Sequence, residues 1–270
     1  MQNQKKVDPR TAIINSLLTG PKTQRELKRE VTEQGVPPST YHYVLGQMIK
    51  HGEVGGLRYC YKGQRLSDAA IEELLGPVAA TKSPAQEIEL SKNLMFLARK
   101  PGIALQPRFL STLEECLTNK LTNESAAEVR RNALSALSDT LWNVDDAAYA
   151  EDKKAREIIR ERFFNLLANI ALTDADLSNR GNAVTTLAEL GDPRAIDVLA
   201  EIVEKVPEEE YRWLQPALQR AIVWGYDSTG MRRNYLVRHH RPRILMRLSD
   251  LAAEGNKRAS ELADQIRRQS

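Results

Sequence analysis

The stretch that decides the fold runs Leu187-Ala-Glu-Leu-Gly-Asp-Pro-Arg-Ala-Ile-Asp-Val-Leu199. An apolar run ends at Leu190, and Gly191 offers the left-handed C′ position that stops a helix. Asp192 is placed to cap the next helix and Pro193 to take its first position, where the missing N–H costs nothing. Ala195, Ile196, Leu199 and Val203 then return along one face. Two helices joined by so short a turn, with alanine at the crossing, pack closely and antiparallel.

Working outward, the first of these helices has an earlier copy. Arg130-Arg-Asn-Ala-Leu-Ser-Ala-Leu137 and Arg180-Gly-Asn-Ala-Val-Thr-Thr-Leu187 share Arg-x-Asn-Ala-apolar-x-x-Leu at an offset of 50 residues. A looser third copy, Ala217…Ala221…Trp224-Gly225, follows Ala183…Leu187…Leu190-Gly191 by 34 residues. Helix follows helix from about residue 86, with breaks near Pro101-Gly102, Thr122-Asn123, Val144-Asp145, Asp174, Gly191-Asp192, Val206-Pro207 and Gly225. The Leu-Gly-Asp-Pro-Arg-Ala stretch resembles HEAT-like repeats, especially the short type of phycobilisome-lyase-related proteins. That resemblance implies an α-solenoid of four or five helix pairs over 86–270. Its concave surface would bind a protein partner or a second copy of the chain.

The first seventy residues read differently. Ile13, Ile14, Leu17 and Leu18 form one helical stripe, ended by Gly20-Pro21. Thr23 with Glu26 three residues on has capping-box spacing, and the helix it starts turns Leu27 and Val31 inward. After Gly35-Val36-Pro37-Pro38, Ser39 or Thr40 caps a third helix whose inward set is Tyr41, Leu45, Met48 and Ile49. Gly52 closes it. Gly55-Gly56 then reads as a turn, and Leu57–Lys62 alternates like a strand.

Three short helices followed by a β-hairpin, with Ser39-Thr40-Tyr41, Leu45, Met48 and Gly52-Glu53-Val54 in place, resemble the winged helix-turn-helix domain over roughly residues 8–75. The resemblance implies a recognition helix at Ser39–Lys50 with Ser39, Thr40, His42, Tyr43, Gln47 and Lys50 facing out. These are side chains that hydrogen-bond base edges and phosphates. Lys22 and Arg25 would lie beside the flanking backbone. Arg58 at the wing tip, with Lys62 and Arg65 behind it, would reach the minor groove or phosphates.

The expected organisation is therefore mainly α: a winged-helix unit over 1–76 (three helices plus β-hairpin, then a last helix at Leu66–Leu75), a linker over 77–85 and HEAT-like repeats over 86–270. Charge divides along the chain in the same way. Residues 1–66 carry a net +6, residues 67–230 a net −9 and residues 231–270 a net +6. A basic start and a basic end around an acidic middle are a cue for nucleic-acid contact. Within the basic end, Arg232, Arg233, Arg238, Arg241 and Arg243 are interleaved with Tyr226 and Tyr235, a pattern suited to phosphate contact and base stacking. The bland alternative is a mobile basic loop that neutralises the acidic middle.

Composition narrows the rest. With 41% apolar and 28% charged residues the chain can bury a real core. No run approaches the roughly 20 apolar residues of a membrane span, and no secretory signal is read at the start. Two cysteines, Cys60 and Cys116, give neither a disulfide framework nor a zinc set. His239-His240 lacks a third ligand nearby, so no metal and no cofactor are expected. Phosphate-loop, dinucleotide, zinc-protease and Gly-x-Ser-x-Gly signatures are missing.

The reading is a non-enzymatic DNA-binding regulatory or adaptor protein, cytoplasmic and nucleoid-associated, of prokaryotic or viral origin. Its winged helix would contact double-stranded DNA, and its solenoid would hold a protein partner or mediate assembly as a homodimer. Two alternatives stand beside it. One is a scaffold without DNA binding. The other starts from Trp142 and Asp146, one helical turn apart, which are similar to the aromatic–carboxylate pair of the HEAT-like alkylpurine DNA glycosylases, with Arg180 or Arg220 as the accompanying arginine.

Overall fold

The computed structural model describes residues 7–19, 22–50, 53–55, 60–61, 66–76, 83–100, 102–119, 123–145, 150–224 and 235–269. The described chain is mainly helical and its apolar side chains form two separate cores.

The first core gathers Ala12, Ile13 and Leu17 from α1 (Pro9–Leu18), Leu27 and Val31 from α2 (Gln24–Glu33), and Tyr41, Leu45 and Met48 from α3 (Pro38–Lys50). Val54 closes it from a two-rung antiparallel ladder that pairs Val54 with Tyr61 and Gly55 with Cys60. The capping box on α2 is present: the Thr23 side chain accepts from the Glu26 N–H and the Glu26 carboxylate accepts from the Thr23 N–H.

Several local expectations change. Asp8 caps α1 by accepting from the Thr11 N–H, with Pro9 as the first helical residue. Leu18 points away from the stripe and is 69% exposed, its inward place taken by Ala12 and Ser16. Pro38 opens α3, because proline is pre-set for a first turn that needs no N–H, so Ser39 and Thr40 lie inside that turn and do not cap it. Gly55 is a strand residue, not a turn residue. Among the described residues the strands are two residues each, Val54–Gly55 and Cys60–Tyr61, and no wing of the expected length is seen there. Arg58, Lys62, Arg65 and the side chain of Lys50 lie outside the described residues.

The second core runs from Ile71 to Ile266. It is built from α4 (Asp68–Leu75), α5 (Pro84–Ala98), α6 (Pro107–Leu117), α7 (Glu124–Asp145), α8 (Ala150–Thr173), α9 (Leu177–Leu190), α10 (Ala195–Lys205), α11 (Glu208–Leu218), α12 (Tyr235–Ala253) and α13 (Lys257–Arg268). These pair in order: α4 with α5, α6 with α7, α8 with α9, α10 with α11, and α12 with α13. The second members stack in turn, α5 on α7, α7 on α9 and α9 on α11, and a π-helical turn at Gln219–Trp224 packs on α13. This is the layout of an α-solenoid, in which each pair buries its apolar face against its neighbours.

The expected unit 1–76 included α4, which instead belongs to the solenoid. Ile71 and Leu75 lie in the second core, the Asn93 amide donates to the Leu74 carbonyl and the Arg108 guanidinium donates to the Gly76 carbonyl. At the expected linker, Ser83 caps α5 by accepting from the Gln86 N–H, with Pro84 in its first turn.

The deciding turn has a slightly different form from the one read in the sequence. Gly191 has φ of 71°, as its C′ role requires. Asp192 accepts from the Arg194 N–H at 2.8 Å and its carbonyl accepts from the Ala195 N–H at 2.9 Å. The first turn is thus tight, and α10 becomes regular at Ala195, two residues beyond Pro193.

Candidate functional site

Three surfaces bear on function: the outer face of α3, the edge of the solenoid where the two helices of a pair are joined, and the outer face of α11. On α3 the sequence periodicity separates the buried from the exposed side chains in part. Tyr41, Leu45 and Met48 are buried, while Ser39, His42 and Tyr43 are exposed, Tyr43 to 69%. Thr40 and Gln47 are half-buried. On α2, Arg25 and Arg29 are exposed. Lys22 is not available in the same way. Its ammonium lies 2.9 Å from the Glu30 carboxylate. A hydrogen bond from the Ser16 hydroxyl, and then the Lys22 ammonium, hold that carboxyl below its ordinary pKa. Arg10 is likewise engaged, donating to the buried Glu53 at 2.6 Å.

Along the solenoid edge the repeated arginines have a structural task. Arg130, about 6% exposed, donates to the Asn119 carbonyl at the end of α6 and to both carboxylate oxygens of Asp174 in the next pair. Arg180, about 5% exposed, donates to the Ala171 carbonyl of α8 and to the Glu210 carboxylate in the first turn of α11. Arg258 at the start of α13 does the same with the Val203 and Val206 carbonyls of α10 and with Glu208 of α11. Each guanidinium fork satisfies orphan carbonyls of one helix end and an acid of a neighbouring helix pair.

Arg180, committed in this way, does not stand ready for a nucleotide, which removes one of the two arginines in the glycosylase-like arrangement. Arg220 is exposed, Trp142 is half-buried and Asp146 lies outside the described residues. A cleft of about 330 Å³ opens beside Arg130 and Asp174, and its charged lining is already paired.

The basic segment is resolved into two parts. Arg232 and Arg233 lie outside the described residues. Tyr235, Arg238, Arg241 and Arg243 belong to α12 and not to a loop. The Tyr235 ring covers Gly191 so tightly that a Cβ there would fall 2.2 Å from it, and it stacks against the Arg156 guanidinium, 4.5 Å away, and against His239. Arg156 in turn donates to the Glu189 and Leu190 carbonyls at the end of α9. Tyr235 is therefore a clasp between helix pairs, not an open stacking platform. Arg241 donates to the Ile266 carbonyl of α13 at 2.8 Å, whereas Arg238 and Arg243 are exposed. At the same turn, burial pushes the Asp192 carboxyl up, but hydrogen bonds from the Arg194 side chain and N–H outweigh it and hold its pKa below the ordinary value.

The helix breaks at Val206-Pro207 and Gly225 bracket α11, but its exposed aromatic side was not singled out in the sequence. Trp213 is 74% exposed and Trp224 44%, with Pro216 and Arg220 exposed between them. A signal was present: Tyr211, Leu214 and Leu218 fix the buried side of α11 by their spacing and leave Trp213 off it.

Comparison with known proteins agrees with the repeat. The PBS lyase HEAT-like repeat family matches over residues 180–205, the stretch that begins at Arg180, crosses the Gly191 turn and ends with α10. No curated protein and no solved structure matches the chain. Repeats of this kind make a helical scaffold suited to engaging other proteins. Among the described residues, no group of three or more His, Cys, Asp or Glu side chains could hold a metal ion, and no helix is long and apolar enough to cross a membrane.

Proposed function

We propose that this chain is a non-enzymatic adaptor whose N-terminal three-helix unit lays the outer face of α3 on duplex DNA while its solenoid carries a protein partner. The observation behind the DNA half is the division of α3. His42 and Tyr43, polar and aromatic, stand out from a helix whose opposite side is locked into the first core by Tyr41, Leu45 and Met48. A helix held that rigidly and presenting hydrogen-bonding side chains is what major-groove reading requires. The exposed Arg25 and Arg29 and the net +6 of residues 1–66 favour the same partner. The solenoid half rests on the stacked pairs and the repeat match. On this reading the unit is a variant of the winged helix and the region 1–66 is the DNA-contacting part.

Fluorescence anisotropy of a labelled random-sequence duplex, titrated with the full chain, tests the DNA half. Affinity should fall at least about tenfold between 50 and 200 mM salt. It should fall about tenfold again in the Tyr43→Ala/Gln47→Ala variant with the thermal transition unchanged. A chain that binds no duplex at low salt, or binds it equally with both residues replaced, overturns the DNA reading.

A further inference from the structure

Among the described residues, both exposed tryptophans stand on one continuous helical run. On α11 and the π-helical turn that continues it, Arg212, Trp213, Pro216, Arg220 and Trp224 are exposed, while Tyr211, Leu214, Leu218 and Ile222 are buried on the other side. Eleven residues separate the two indoles, about 16 Å along a helix axis. Trp, with Arg, is the side chain most enriched where binding energy concentrates. Leaving two indoles and a proline in water along one run is unfavourable unless something covers them.

Charge says what covers them. The Arg212 head is shared with Glu208 one turn back, at 3.3 Å. Arg220, between the indoles, makes no ion pair among the described residues, although the surrounding 67–230 region carries an excess of acid. The Gln219 amide donates to Gln265 at 3.2 Å and ties this stretch to α13, whose last turn carries Arg267, paired with Asp264, and the exposed Arg268. The run is thus apolar at both indoles and cationic at Arg220 between them, with Glu208 and Glu209 exposed in the turn before Trp213.

We infer that the outer face of α11 is the solenoid's docking site for an acidic amphipathic segment of a partner protein. Two apolar anchors of that segment seat on Trp213 and Trp224, and a carboxylate between them meets Arg220. The inference rests on the reading of the solenoid as a protein-binding scaffold and names its surface.

The test is selection of displayed random 16-residue peptides on the immobilised full chain, followed by synthesis of the winners and titration by tryptophan fluorescence. The pool should converge on sequences with acidic residues between bulky apolar ones. Winners should lose at least tenfold in affinity against Trp213→Ala and against Arg220→Glu, two exposed positions whose replacement leaves the thermal transition in place. Lysine-for-glutamate versions of the winners should recover affinity for Arg220→Glu.

Winners that are neutral or basic, or that bind both variants undiminished, overturn the site while leaving a protein-binding solenoid standing elsewhere. No enrichment at all overturns both. A single-stranded oligothymidine that binds the full chain and loses affinity through the same two substitutions also overturns the inference, since the face would then stack bases.

Discussion

In the N-terminal unit, Ile13, Leu27, Val31, Tyr41 and Val54 converge from three helices and a strand on one small core. In the solenoid, helix pairs stack mainly on the pairs beside them, with α12 also reaching back to α9, and the core is a continuous strip from Ile71 to Ile266. A convergent core has little redundancy, because α1, α2 and α3 each pack on the other two. A stacked core is a sum of local interfaces, and what must be specified is the angle and spacing of each step. Here the steps are set by polar devices at both edges: the Arg130, Arg180 and Arg258 forks on one side, and Gly191 with Tyr235 and Arg156 on the other.

The comparison breaks first if those forks are dispensable. Asp174→Ala would leave the Arg130 guanidinium buried beside a lost partner, a class of change that costs about 3–5 kcal/mol. Urea unfolding should show that loss in the solenoid transition alone, with amide exchange in residues 12–54 unchanged. The double change Arg130→Met/Asp174→Leu should recover most of it, because neither charge then remains buried.

Next in size is the opposite edge. Gly191→Ala places a Cβ where φ is 71° and 2.2 Å from the Tyr235 ring, and strain of this kind costs about 2 kcal/mol. Calorimetry of the double variant Gly191→Ala/Tyr235→Ala should show less additional loss than the two single changes summed; strict additivity would mean that the ring does not touch the turn. The smallest effect belongs to the convergent unit. Thr23→Ala removes the capping box of α2 and should cost about 1 kcal/mol. It should appear as faster amide exchange in α1 to α3 and not in the solenoid.

What the sequence carried and what it withheld follow from the range of each interaction. Turns are local, so Gly191-Asp192-Pro193, the Thr23–Glu26 box and the helix breaks at Asp174 and Pro207 were legible. So was the inside-and-outside division of α3, which needs only a periodicity. The allegiance of α4 was not, because Ile71 and Leu75 specify a buried face without saying which core buries it. The roles of Arg130 and Arg180 were hidden for the same reason. Their repeat at an offset of 50 residues was visible, but their acids lie 44 and 30 residues away along the chain. Tyr235 read as a stacking aromatic because nothing nearby in sequence announces that Gly191 lies beneath it.

The π-helical turn after Pro216 has a geometric consequence of its own. A helix wheel drawn from the sequence advances about 100° per residue, whereas each residue of the wider turn advances by less. Trp224 therefore sits rotated from its ideal α position relative to Trp213, and deleting one residue between Gln219 and Ile222 would restore ordinary winding and swing the second indole around the axis. The bulge works as a protractor: it sets the angle about the axis between positions 213 and 224, which a point substitution at either one leaves unchanged.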